Sequence, residues 1–165
     1  MINQFYEALL AQLQTKVPGI KFIDFWNNQF DMLNTEDEIP FNFPAVFIEI
    51  DPIEWQTLAD SSQQSPAVII MHLGVETLQE TSNQELLATR AAGMNHLPLV
   101  QDISKALHGF SGTNFGTITR IGTTFDQNYG SVKEILIPFK CLLTDNSMSI
   151  NFNVIPKPPV VVEVL

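Results

Sequence analysis

Lysine and arginine are scarce in this chain: eight, against eighteen aspartates and glutamates in 165 residues, for a net charge of −10. They are missing altogether from Phe22 to Thr89. Twelve acids fall in that stretch: Asp24, Asp31, Glu36, Asp37, Glu38, Glu49, Asp51, Glu54, Asp60, Glu76, Glu80 and Glu85. Holding a nucleic-acid backbone requires basic side chains to neutralise phosphates, so this half argues against stable nucleic-acid binding. It describes either a solvated surface that keeps the protein soluble, or one that repels DNA or meets a basic partner. Cysteine is nearly missing as well. Cys141 alone cannot close an internal disulfide, which fits a reducing compartment. No apolar run approaches the roughly 20 residues of a membrane-spanning helix. The N-terminal stretch carries neither the basic segment nor the small-residue cleavage site of an export signal. No membrane association and no export are expected.

Catalytic signatures are also lacking. Histidine occurs at positions 72, 96 and 108 only. Metal ligation asks for close ligand spacing on one face, and His96 and His108 stand roughly three helical turns apart. Each histidine is expected to pack or to cap, with His108 at a helix C-terminus where partial positive charge is favourable. Ser111 lacks the strand-then-helix setting of a nucleophile elbow. The loop from Gly112 to Gly116 has no lysine, so it is not a phosphate loop. Asp24 with Asp51 or Glu49 could form a carboxylate pair, a combination common by chance in so acidic a segment. Cys141, on an apolar strand face, reads as a small hydrophobe. The expectation is no enzyme, with no catalytic residue, no cofactor and no metal.

What is present is apolar patterning for one core. Ile2, Phe5, Tyr6, Leu9, Leu10, Leu13 and Val17 repeat at helical spacing, so Met1–Lys16 is expected to be an amphipathic helix capped by Asn3 and stopped by Pro18-Gly19. Ile20–Trp26 reads as a strand. Asn27–Phe43 is a long polar connection, and Phe41 and Phe43 should anchor its end. Pro44–Ile50 is a strong strand. Ile53–Ser65 is a second polar connection with an exposed tip. Ala67–Thr77 is the next strand, with Ala67, Ile69, Met71, Leu73 and Val75 facing the core. Its other face, through His72, Gly74 and Glu76, turns polar as if leaving its cover. These two strands are expected to pair as a hairpin.

Gln84–Met94 has helical composition, with Leu86 and Leu87 inward. Pro98 forces a kink or a restart with Asn95 as cap. Leu99, Val100, Ile103, Ala106 and Leu107 then form an apolar face, and Gly109 suits a left-handed C-terminal position. Thr117–Phe125 is a strand, followed by a turn at Asp126–Gly130. In the last strand, Val132–Thr144, Ile135, Ile137, Phe139, Cys141 and Leu143 face inward. Glu134, Leu136, Lys140, Leu142 and Thr144 face outward. Pro138 marks an edge or a bulge.

The fold class is α+β: a mostly antiparallel sheet of four to six strands with two main helices packed on it, in the order α-β-β-β-α-β-β. Residues 1–145 form one domain. Residues 146–165 form an extended C-terminal arm, where Ile155–Pro159 stiffens the backbone and Val160, Val161, Val162, Val164 and Leu165 are β-prone. That arm either adds a strand to a neighbouring subunit or closes the edge of its own sheet.

The joint between the second helix region and the fourth strand reads Leu107-His108-Gly109-Phe110-Ser111-Gly112, then Asn114-Phe115-Gly116 and Thr119-Arg120. With Phe43-Pro44-Ala45-Val46-Phe47-Ile48-Glu49, Trp55 and the Val17-Pro18-Gly19 helix end, it resembles phage tail-completion (tail terminator) proteins, particularly a Bacteroidetes-type prophage branch. The resemblance covers roughly residues 1–145 and rests on order and spacing rather than on one motif. It implies a ring, usually a hexamer, that ends the tail tube and joins the head. Its partners would be copies of itself, tail-tube proteins and head-connector proteins. DNA would pass through the ring without being bound. The protein would sit in the host cytoplasm during assembly and then in the virion tail. Asp31, Glu36, Asp37 and Glu38 are the candidate lumen or interface residues. The alternatives are another neck or minor tail component, or a small intracellular α+β binding module or enzyme.

Overall fold

The computed structural model describes residues 1–34, 41–51, 54–58, 61–76, 81–129 and 132–147. Helix α1 spans Ile2–Lys16, and its periodic face buries Phe5, Leu9 and Leu13. Its cap is Met1, with no side-chain bond, so Asn3 lies inside the helix rather than capping it. Strand β1 is Phe22–Phe25, and a 3-10 helix follows at Gln29–Asn34. Then come β2 (Ala45–Ile50), the two-residue β3 (Gln56–Thr57) and the 14-residue β4 (Gln63–Glu76). Helices α2 (Leu87–Gly93) and α3 (His96–Leu107) lead to β5 (Thr119–Arg120), β6 (Thr124–Tyr129) and β7 (Val132–Asp145).

The architecture is α+β. The strands form one seven-stranded sheet in the order β1-β2-β4-β7-β5, with β3 added to β4 and β6 added to β7. The β1–β2 pair is parallel and the other pairs are antiparallel. The expected hairpin is present, with Ala45 opposite Gly74 and Ile50 opposite Ile69. β4 begins earlier than expected: Gln63 and Gln64 pair with β3 and β7 instead of forming a loop tip. The strand expected at Thr117–Phe125 is two shorter ones, and β6 runs on through the residues expected to turn. Pro138 sits at that break. Its carbonyl accepts from the Ile121 N–H at 2.9 Å, so its missing donor faces the gap between β5 and β6.

Period-two alternation sets the helix-side core. Ala67, Ile69, Met71, Leu73 and Val75 of β4 and Ile135, Ile137, Phe139, Cys141 and Leu143 of β7 are all buried. They meet α1 and the Val100, Ile103 and Leu107 face of α3. Pro98 falls in the first turn of α3, where a missing N–H disturbs no helical bond. Gly109 follows that helix at φ +86°, the left-handed position that glycine takes without strain. The joint then folds back. Gly109 N–H bonds Ile118 O, Phe110 and Phe115 pack at 5.3 Å between ring centroids, and Phe115 meets Phe5 of α1 at 4.9 Å.

Two inward assignments are corrected. Leu86 and Leu87 are 78% and 72% exposed. The helix begins at Leu87, so Leu86 precedes it and the expected apolar face never forms. Glu134, expected to face out, is 5% exposed. It points away from the helices, but that side of the sheet is also covered.

Candidate functional site

The covering of the second face creates the most unusual site in the molecule. Phe30 on the 3-10 helix, Phe41 and Phe43 form a compact aromatic cluster with Ala45, Phe47 and Val132, and Phe22, Trp26 and Leu33 pack against it. Phe47 is its centre, with Phe22, Trp26, Phe30 and Phe41 all within 6.0 Å centroid to centroid. The lid sits so close that a methyl group on Gly74 would stand 2.7 Å from Phe30 Cε1 and 2.9 Å from Phe43 Cε1. Only a residue without a side chain fits there. The far face of β4 is therefore enclosed at its His72–Gly74 end, not running out into solvent.

Under this lid lies His72, 6% exposed. Its Nδ1 is 2.6 Å from Glu134 Oε1 on β7, and its Nε2 is 2.8 Å from Glu49 Oε2 on β2. Register places them: Glu49 is paired with Ile70 and Glu134 with Gly74, so both acids sit one diagonal step from His72 on the same face. The Trp26 ring lies flat on the imidazole, 3.9 Å between centroids and 8° between planes. A ring with hydrogen on both nitrogens donates to both carboxylates. If one nitrogen is bare, the facing carboxyl must carry the proton. Both nitrogens are thus engaged and the ring is roofed by an indole. The group ties three strands together, and it has no free nitrogen to act as a general base.

The sequence-level candidates are distributed otherwise. Asp31 is exposed on the 3-10 helix. Glu36, Asp37 and Glu38, and the arm residues Val160, Val161, Val162, Val164 and Leu165, lie outside the described residues. Asp24 Oδ1 accepts the Phe25 N–H at 2.7 Å, and the carboxylates gathered at His72 are Glu49 and Glu134. Trp26 packs, as expected, but on a histidine that alternation alone had turned toward solvent. The signal for the missed site was present as Glu49, His72 and Glu134 on three strong strands. What could not be read was the register that joins them.

The other polar features are modest. His108 Nδ1 accepts the Arg120 N–H at 3.2 Å, which pins the joint. A groove between the α1–β1 turn and the start of α3 is lined by Pro18, Lys21, Phe43, Pro44, His96 and Asp102, among others. His96 is 6% exposed, and its pKa is lowered, first by burial and then by the charge of Lys133. Burial, then the Asp24 and Glu7 carboxylates, raises the Tyr6 hydroxyl. Among the described residues no group of three or more His, Cys, Asp or Glu side chains could hold a metal ion. No described helix is long and apolar enough to cross a membrane.

Cys141 is buried and its thiol is pushed up to about 11 by desolvation. The thiolate is the reactive form, so little of it exists near neutrality. Iodoacetamide at pH 8 is expected to leave the native protein unmodified by mass spectrometry and to add one adduct in denaturant. Rapid labelling of the native protein would show that β7 is not held in the core.

No family model and no curated protein matches this chain. A solved structure similar to it is a chain from "Virion of native gene transfer agent (GTA) particle", at a TM-score of 0.46 and 11% identity, covering 83% of this chain and 92% of that one. A likeness of that degree bears on neither activity nor partners.

Proposed function

We propose that the chain is a structural assembly protein of a phage or prophage tail, a tail-completion protein whose copies form a ring that ends the tube and meets the head. The observation that carries this reading is the pair of sequence stretches that resemble the tail-terminator family. Phe43–Glu49 enters and forms β2, and Leu107–Arg120 closes α3 onto β7. Both stretches act through backbone shape and packing rather than through reactive side chains. The ring is a hexamer, and the β-prone arm at Val160–Leu165 docks on the neighbouring copy. The acids of the Asn27–Phe43 connection, Asp31, Glu36, Asp37 and Glu38, line the lumen or an interface. Like charge there lets DNA pass without adhering.

Electron microscopy of the purified full chain, alone and mixed with assembled phage tail tubes, tests the reading. Rings, or tubes capped at one end, are the expected outcome. Monomers that neither assemble nor bind tube ends at tens of micromolar would overturn it.

A further inference from the structure

The two edges of the sheet carry opposite charge and matching apolar patches. Among the described residues only one lysine or arginine is paired with a carboxylate: Lys105 with Asp102, at 3.5 Å on an exposed helix face. At the β1 edge stand exposed Asp24 and, just beyond it, exposed Asp31, with Phe25 beside them at 46% exposure. Lys21 precedes the strand at its other end. At the opposite edge, Arg120 of β5 and Lys140 of β7 are both exposed, Lys105 of α3 and His108 just after it adjoin Arg120, and Ile121 and Leu142 are 50% and 45% exposed. The Arg120 guanidinium bonds Gly122 O and Thr123 Oγ1, both uncharged, so its charge is not neutralised there.

Each edge therefore presents large apolar side chains beside charge predominantly of one sign, acidic at β1 despite Lys21 and basic at β5 despite Asp102, the composition of an interface with an apolar centre and a charged rim. The backbone of β1 is guarded against strand addition. Asp24 occupies the Phe25 N–H, and the Gln29 side-chain amide donates to Phe25 O at 2.7 Å. With the outward N–H and C=O of Phe25 already taken, contact at this end of the edge falls to side chains.

From this we infer that the β1 edge of one copy docks on the β5 edge of the next, the partner being a second copy of this chain. The two surfaces differ and lie at opposite ends of the sheet, so the contact is head to tail. Repetition of such a contact closes a ring or extends a filament, and it does not give a two-fold dimer. The inference deepens the self-assembly part of the proposed function and rests on it.

Charge swapping tests it. One variant carries Arg120→Glu and Lys140→Glu; a second carries Asp24→Lys and Asp31→Lys. Sedimentation velocity is run on wild type, on each variant and on their equimolar mixture, with circular dichroism to verify that each is folded. Wild type is expected to assemble. Each variant alone should lose on the order of tenfold or more in association constant through like-charge contact. The mixture should recover wild-type size, because each altered edge then meets its complement. Raising salt from about 0.1 M to about 1 M, which shortens screening from about 10 Å to about 3 Å, should weaken wild-type assembly. Wild-type assembly with no effect of either variant would overturn the edge assignment and leave self-assembly standing. A mixture of folded variants that stays monomeric would also overturn it. Wild type that remains monomeric in every condition would overturn this inference, while the tail reading then rests on whether the protein binds tube ends.

Discussion

Replacing His72 by alanine is expected to cost about 3–5 kcal/mol of stability, read as the loss in urea-unfolding free energy. The reason is what stays behind. Glu134 has a side chain only 6% exposed and would keep its carboxylate without a partner; Glu49, at 33%, can turn partly to water. The imidazole also supports Trp26, so its removal should shift tryptophan emission to the red while the helices persist in far-ultraviolet dichroism. The contrast with an apolar replacement is the sharper test. Changing Glu49, His72 and Glu134 together to leucine removes the charges along with the bonds, and should cost much less than His72→Ala alone. A His72→Ala variant within about 1 kcal/mol of wild type would mean that water already reaches the cluster, and the account of a sealed tie would fail.

Phe47→Ala is expected to cost a similar amount, about 3–5 kcal/mol. Phe47 is 0% exposed and stands at the centre of the aromatic cluster, so its loss leaves a cavity bounded by rings that cannot easily close. The effect should be local in character. The 3-10 helix and Phe41–Phe43 are fastened to the sheet chiefly through this ring, whereas α1 and α3 pack on the opposite face. Hydrogen exchange should therefore accelerate at Gln29–Asn34 and in β1 before it does in α3. A uniform acceleration across both faces would show that the two cores unfold as one unit. A loss below about 2 kcal/mol would show that the cluster repacks.

Much of the helix-side layer was legible in the sequence, because each of its elements states its own period. α1 announces itself by Phe5, Leu9 and Leu13, and β4 and β7 by apolar residues at every second position, Ala67 to Val75 and Ile135 to Leu143. Gly109 was legible because a helix end and a left-handed residue coincide. The second face was not. Its cover is made of Phe30, Phe41 and Phe43, from a connection whose polar composition hid a one-sided cluster of aromatics. Without that cover, His72 and Glu134 read as solvent-facing, and the bonds joining them depend on a register between distant strands. α2 failed for a different reason: Leu86 and Leu87 were judged by residue type, and the helix starts too late to turn them inward. The edge charges were visible as a gap in lysine and arginine from Phe22 to Thr89, but only strand order shows that acids predominate at one border of the sheet and bases at the other.

The central pairing of the sheet also dictates when this chain can fold. β4 and β7 are paired along their entire lengths, Glu76 with Val132 and Gln63 with Asp145, and two helices and the whole glycine-rich joint lie between them in the chain. Bringing such remote segments together is slow, because the intervening chain must surrender its freedom before the contacts repay it. During synthesis β4 would leave the ribosome long before its partner, a 14-residue strand with an apolar centre and one long edge unpaired. α1 and α3 have nothing complete to pack on until Val132–Asp145 appears. The protein is thus committed to folding that waits until β7 has emerged. Chains cut short before Val132 should be found in aggregates or bound to chaperones, not as partly functional fragments.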